Sequence, residues 1–215
     1  LKTFSEDSLK RFGFESNEEM NAFRYTDFCY QKFMEAAQSE SYFKNTIFVF
    51  VGDHGIRYNG TLDYFPKAWT EQGLTCEHVP LLFYAPGLLK PQKIHDIASQ
   101  VDILPTIASL ANISYSNNSL GRNLFDTAAY IKNGLALPKE KYAFVIDHDV
   151  KTVGLVGNKY YYLKNLKTGK VDFVSMTGNE PIPMKTETDS IKGYMQKLTD
   201  AFYQTAQYLL LNNKK

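Results

Sequence analysis

An α/β fold follows from three stretches of the 215-residue chain. Residues 46–51 are β-branched or aromatic and carry no charge, which reads as a strand buried on both faces. Just before them, Ser16 and Asn17 stand ahead of Glu18 and Glu19 and open a helical pattern. Between 142 and 175 four short segments describe an antiparallel sheet, and the long amphipathic pattern that follows describes a helix covering it.

Taken in order, residues 1–15 carry mixed charge without a clear period and read as a connecting segment. In the first helix Met20, Phe23, Tyr30, Met34 and Ala37 recur at helical spacing and predict the stripe that faces the sheet. Asp27 falls on the same stripe, where a carboxylate needs a hydrogen-bond partner. After the strand a long loop is expected over 56–77, with Asn59 and Gly60 as a turn. His78 opens the next expected strand, 79–84, which stops at Pro86 and Gly87. Residues 93–98, with His95, read as a short surface strand. Asp102 serves as the start of a helix over 103–111, whose first turn accommodates Pro105. Strands are expected at 142–146, 152–156, 159–164 and 171–175, with turns at Gly157 and Asn158 and at 167–169. The last helix is expected over 189–211, capped by Asp189 or Ser190. The domain division expected from this pattern is 1–15, 16–140 and 141–215.

Composition excludes several function classes. A formal net charge of +1 and the absence of a Lys/Arg run give no electrostatic case for a nucleic-acid partner. Fifteen Tyr and fifteen Phe favour a packed domain over a disordered one. Cys29 and Cys76 fit neither a zinc spacing nor a disulfide scaffold, so buried free thiols are expected. No stretch reaches the roughly 18 apolar residues of a membrane helix, no signal peptide opens the chain, and the chain as given is expected to be soluble.

The chemistry collects where the first strand ends. Asp53 and His54 lie between Gly52 and Gly55, and a carboxylate beside a neutral imidazole makes a compact ligand pair for a divalent metal. A strand-ending Asx turn with a surface His fits the same residues. In the loop that follows, Arg57 and Lys67 are candidates to hold an anionic substrate group, and ordinary solvated charge fits each one singly. His78 is a candidate substrate ligand or a strand-opening His with a local hydrogen bond. His148, between Asp147 and Asp149, keeps a metal role open but reads better as a polar loop.

Four motifs carry a family resemblance: Phe43-Lys-Asn-Thr-Ile-Phe-Val-Phe-Val-Gly-Asp-His-Gly55, His78-Val-Pro-Leu-Leu-Phe-Tyr-Ala-Pro-Gly87, Gln100-Val-Asp-Ile-Leu-Pro-Thr-Ile107 and Gly121-Arg-Asn-Leu-Phe125. In this order and spacing they resemble the sulfatase and lipoteichoic acid synthase branch of the alkaline phosphatase superfamily, over residues 20–125. The resemblance implies the C-terminal part of a mixed sheet flanked by helices, with a small antiparallel subdomain. It implies a divalent metal held by Asp53 and His54, with Mn preferred and Zn, Mg or Ca as alternatives. It also implies a covalent nucleophile, Ser, Thr or modified Cys, in an N-terminal half. No counterpart is found here, so no catalytic residue is assigned and the nucleophile is expected upstream of this chain. The partners implied are that N-terminal half and an anionic glycerophosphate or sulfate-ester substrate, with a membrane engaged only through segments absent here. The implied location is the extracytoplasmic face of the cell membrane or the periplasm. A phosphoglycerol transferase is preferred over an arylsulfatase, because sulfatases more often show Asp-Asn where this chain has Asp53-His54. A noncatalytic binding domain that retains the fold is the alternative from another class, and the isolated chain is expected to be inactive.

Overall fold

A computed structural model describes residues 1–56, 65–126, 131–132, 135–136, 141–177 and 185–212. The chain divides into two compact units, Leu1–Gln92 and Lys93–Lys215.

The first unit opens with a helix where a connecting segment was expected. Helix α1, Glu6–Phe12, is started by Ser5, whose side chain accepts from the Ser8 N–H, and is stopped by Gly13 at φ 77°. At seven residues it is too short to show a period. Asn17 and Asn21 tie the leading segment down through bonds to the backbone of Phe4 and Lys2 at 2.6 to 3.3 Å. Helix α2, Asn17–Gln38, begins as the sequence requires, with the Ser16 hydroxyl accepting from Glu19 N–H at 3.1 Å.

The predicted stripe of α2 is only partly covered. Tyr30 meets Phe50 edge-on at 5.2 Å, Phe33 meets Phe48 at 6.0 Å, and Ala37 is buried. Phe23 and Tyr30 nevertheless remain about half exposed, and Asp27 is exposed, so its carboxylate needs no protein partner. Strand β1, Phe48–Val51, pairs antiparallel with β2, Leu81–Tyr84, in the register Phe48 to Tyr84 and Val51 to Leu81. A four-residue strand spans about 13 Å, against about 33 Å for a helix of 22 residues. The same narrowness explains why β1 is not buried on both faces: Phe48 is buried but Val51 is exposed.

The stretch after β1 is not wholly loop, since it contains α3, Lys67–Glu71, and α4, Leu74–Glu77. Strand β2 starts at Leu81 rather than Val79, because Pro80 has no N–H to give to a ladder. Cys29 is exposed and Cys76 half-buried, which corrects the expectation of two buried thiols.

The second unit is built around Asp102 and a four-stranded sheet. The segment 93–98 forms no strand, and the Ile97 carbonyl instead accepts a short hydrogen bond from the Arg122 guanidinium. Asp102 does not cap helix α5, Ile103–Leu110, in the expected way. Its buried carboxylate accepts from Ser99 N–H at 2.9 Å and Arg122 N–H at 2.8 Å, across a single 3₁₀ turn at Gln100–Asp102. One turn on, Thr106 Oγ1 donates to the Asp102 carbonyl at 2.6 Å and accepts from Leu124 N–H at 3.0 Å. Gly121 lets the two strands of chain meet, since a Cβ there would lie 1.9 Å from the Val101 carbonyl oxygen.

Two short strands, β3 (Ile131–Lys132) and β4 (Leu135–Ala136), pair with each other. The main sheet runs in chain order: β5 (Ala143–Asp147), β6 (Thr152–Val156), β7 (Tyr160–Asn165) and β8 (Val171–Ser175), all antiparallel. These are the four strands the sequence predicts, and Gly169 at φ 70° makes the last turn as expected. Helix α6, Lys185–Asn212, starts four residues before Asp189, so neither Asp189 nor Ser190 caps it. It covers one face of the sheet, where Met195, Ile191, Leu198 and Phe202 pack on Leu155, Tyr160, Tyr162 and Phe173. Lys164 on β7 pairs with Asp200 on α6 at 2.8 Å. No helix among the described residues is long and apolar enough to cross a membrane.

Replacing Asp102 by Ala leaves Ser99 N–H and Arg122 N–H without their acceptor and removes the carboxylate 4.0 Å from the Arg122 guanidinium. It should destabilise the second unit by about 3–5 kcal/mol, whereas Asp96→Asn, which removes an exposed partner of Lys141, should cost at most about 1 kcal/mol. Urea unfolding of the two variants measures both.

Candidate metal centre

Strand β1 delivers the chain into the turn Gly52, Asp53, His54, Gly55, and the segment that precedes β2 fixes that turn from the side. Gly52 N–H donates to the Pro80 carbonyl at 3.2 Å and Gly55 N–H to the Cys76 carbonyl at 2.7 Å. Space requires the glycine at Gly55 and makes a side chain at Gly52 a tight fit. A Cβ on Gly52 would sit 3.0 Å from Val79 Cβ, and one on Gly55 would sit 2.0 Å from the Thr75 carbonyl oxygen and 3.0 Å from that of His78. With the backbone pinned on both sides, the two side chains between the glycines point outward, 90% exposed for Asp53 and 76% for His54.

The pair is ordered although it is open to solvent. Asp53 Oδ1 accepts from the His54 backbone N–H at 2.9 Å. His54 Nδ1 lies 2.9 Å from the Gly55 carbonyl, which can only accept, so Nδ1 carries the proton and Nε2 keeps its lone pair in the neutral ring. That Nε2 stands 3.7 Å from Asp53 Oδ2. The backbone N–H of His54, then Asp53's own N–H, then the His54 charge hold the Asp53 carboxyl below its usual range. The Gly55 carbonyl, then Asp53, push the His54 imidazole above its usual range. Both shifts arise chiefly from backbone groups of the turn, and the attraction between Asp53 and His54 adds a smaller part in the same direction.

These two donors fit part of a metal shell. Two ligands on a tetrahedral ion with bonds of about 2.1 Å stand roughly 3.4 Å apart, close to the 3.7 Å found here. The Nδ1 bond to a backbone carbonyl is the usual way a ligating histidine is oriented. Among the described residues no group of three or more His, Cys, Asp or Glu forms a fuller site.

The other sequence candidates fall differently. His78 is exposed and caps α4 through its N–H to the Leu74 carbonyl at 3.1 Å, with its own carbonyl against Gly55. Arg57 lies outside the described residues, as does the side chain of Lys67, which opens α3. His148 sits exposed at the turn after β5, where Asp147 Oδ1 accepts from the N–H groups of Asp149 and Val150. That carboxylate oxygen closes the turn, which agrees with the polar-loop reading. Thr75 and Trp69 are the residues that sequence reasoning passed over. Nothing in the pattern marks Thr75, because it acts through its carbonyl oxygen, whereas Trp69 was visible as the single tryptophan.

The family model described as Sulfatase matches residues 15–113. Arylsulfatase K of Gallus gallus is 33% identical over 99 residues, 46% of this chain and 18% of its own length. The lipoteichoic acid synthase-like YvgJ of Bacillus subtilis is 25% identical over 180 residues, 78% of this chain and 26% of its own. Over residues 15–113 the chain is thus similar to the sulfatase family. The lipoteichoic acid synthase LtaP of Listeria monocytogenes shares the fold, with a TM-score of 0.53 at 16% identity over 86% of this chain and 43% of that one. The chain spans less than half the length of each of these relatives. The sulfatase match takes in α2, β1, the Asp53–His54 turn, β2 and α5.

Gly55→Ala should destabilise the first unit by about 1–3 kcal/mol through overpacking, while Gly193→Ala in α6, which meets nothing within 4 Å, should be neutral or stabilising by about 1 kcal/mol; thermal unfolding separates them. In an NMR pH titration, the His54 midpoint should lie above that of an ordinary imidazole and fall in Asp53→Asn. Because the proton and a metal ion compete for Nε2, metal binding should weaken as pH drops through that raised midpoint.

Proposed function

We propose that this chain supplies the Asp53–His54 half of the metal site in an enzyme that cleaves or transfers a phosphate or sulfate ester. The observation that carries the reading is the ordering of the pair, with Nδ1 tied to the Gly55 carbonyl and Nε2 left 3.7 Å from Asp53 Oδ2. Members of this superfamily are metal-dependent. A bound divalent ion would lower the pKa of a coordinated nucleophile and neutralise charge on the ester oxygens. Asp53 contributes a permanently ionised oxygen at neutral pH, and His54 a neutral nitrogen whose proton is parked on the far side of the ring. Catalytic metals typically keep about three protein ligands, so the remaining ligands and the covalent nucleophile are assigned to residues outside those described. His78, Arg57 and Lys67 are proposed to meet the anionic group of the substrate.

A phosphoglycerol transferase is favoured over an arylsulfatase for two reasons. The YvgJ likeness extends over 78% of this chain, against 46% for arylsulfatase K, and the metal pair is Asp-His rather than Asp-Asn. Mn is the preferred ion in this reading, with Zn, Mg or Ca as alternatives, since a carboxylate oxygen suits Mn and an imidazole suits Zn. An extracytoplasmic location accords with the lipoteichoic acid synthase-like relative.

Calorimetric titration of Mn and Zn into the chain should show weak binding that is lost in both Asp53→Ala and His54→Ala. Phosphodiesterase and sulfatase turnover by the 215-residue chain should not exceed that of its His54→Ala variant. Metal binding that survives either substitution overturns the assignment of the pair.

A further inference from the structure

The backbone of His78 is fixed to the metal-ligand turn, and its side chain is fixed by something else. Its ring meets the indole of Trp69 at right angles, with centroids 5.1 Å apart and planes at 88°. Trp69 is in turn stacked on Phe65 at 5.7 Å and 20°. The indole Nε1 is buried and finds no hydrogen-bond partner among the described residues. A buried donor left unpaired opposes its own placement, so the ring contacts with Phe65 and His78 set the position of the indole. The helix beneath it is short, and the Trp69 N–H turns back onto the Pro66 carbonyl at 2.8 Å. Phe65, Trp69 and His78 thus form a row of rings that ends at the wall of the Asp53–His54 turn.

We infer that Trp69 is a positioning residue for His78, holding the exposed imidazole in one orientation beside the metal-ligand turn. This rests on the reading of His78 as a substrate ligand. An exposed histidine with free side-chain torsions must give up that freedom when it binds an anion, and a ring already held edge-on has less to lose. Aromatic pairs of this geometry attract beyond their buried area, so the hold persists without a hydrogen bond. Trp69 need not touch the substrate for this purpose, because its effect passes through the imidazole.

The test is NMR of the His78 ring protons in the intact chain without metal, comparing the unmodified protein with Trp69→Phe and Trp69→Leu. The expected result is a set of His78 resonances displaced from free-histidine positions, less displaced in Trp69→Phe and at free-histidine positions in Trp69→Leu. Free-histidine positions in the unmodified chain, or displaced resonances that survive Trp69→Leu in a folded protein, overturn the inference. If Trp69→Leu does not fold, the unmodified chain and Trp69→Phe still decide it, since an indole-dependent displacement must change in size when the ring changes. A second arm titrates inorganic phosphate with Mg present into the unmodified chain, Trp69→Leu, His78→Ala and the double variant. Under the inference, affinity falls in each single variant, and the double variant is no weaker than His78→Ala. Additive losses overturn it. A phosphate affinity unchanged in His78→Ala removes His78 from the substrate site, while the first arm still decides whether Trp69 holds the ring.

Discussion

Each unit of this protein depends on a place where two backbones meet with no room for a side chain. In the first, Gly55 lies so close to the Thr75 carbonyl that a Cβ would overlap it, and in the second Gly121 does the same against Val101. The contact at Gly55 draws the end of β1 onto the segment leading into β2, and the hydrogen bonds from Gly52 and Gly55 follow from that approach. The contact at Gly121 brings Arg122 N–H onto the Asp102 carboxylate, around which the 3₁₀ turn, α5 and the 121–125 segment are assembled. In both places the side chains of interest are ordinary, and what makes them useful is the missing neighbour.

The Asp53–His54 pair shows how a site can be ordered without being buried. One carboxylate oxygen is spent on the backbone of its own turn and the other faces the imidazole. The imidazole in turn gives its single proton to a carbonyl of the same turn. Nothing here relies on a low dielectric. Solvent screens the attraction between such exposed groups, so the hydrogen bonds of the turn, more than the charge pair, set the geometry.

How far this was legible in the sequence varies with how local the cause is. The four strands of the main sheet announce themselves through short apolar and aromatic runs and their turns, because register there is set by neighbours in the chain. The start of α2 at Ser16 and the placement of Asp53 and His54 at a strand end were readable for the same reason. Helix α1 was not, being a single short helix whose Leu9 is buried but repeats nowhere. The start of α6 was missed because Asp189 and Ser190 look like caps, whereas the pattern of Lys185 to Thr188 is helix-compatible and carries no stop. The Arg122 partner of Asp102 was hidden because it comes from twenty residues downstream. Half-exposed aromatics on α2 were unforeseen because periodicity reveals which side of a helix is apolar but not how wide a sheet it meets.

The order of the strands has a consequence for how the molecule forms. In β5 through β8 every strand pairs with the next one along the chain, so each closure spans a few residues and the whole meander can assemble from local contacts. Strand β1 must wait for β2, which arrives only after the long excursion between Val51 and Leu81. Contact order therefore differs sharply between the two sheets, and nonlocal pairing is the slower kind. The turn that carries Asp53 and His54 is closed by that same nonlocal pairing.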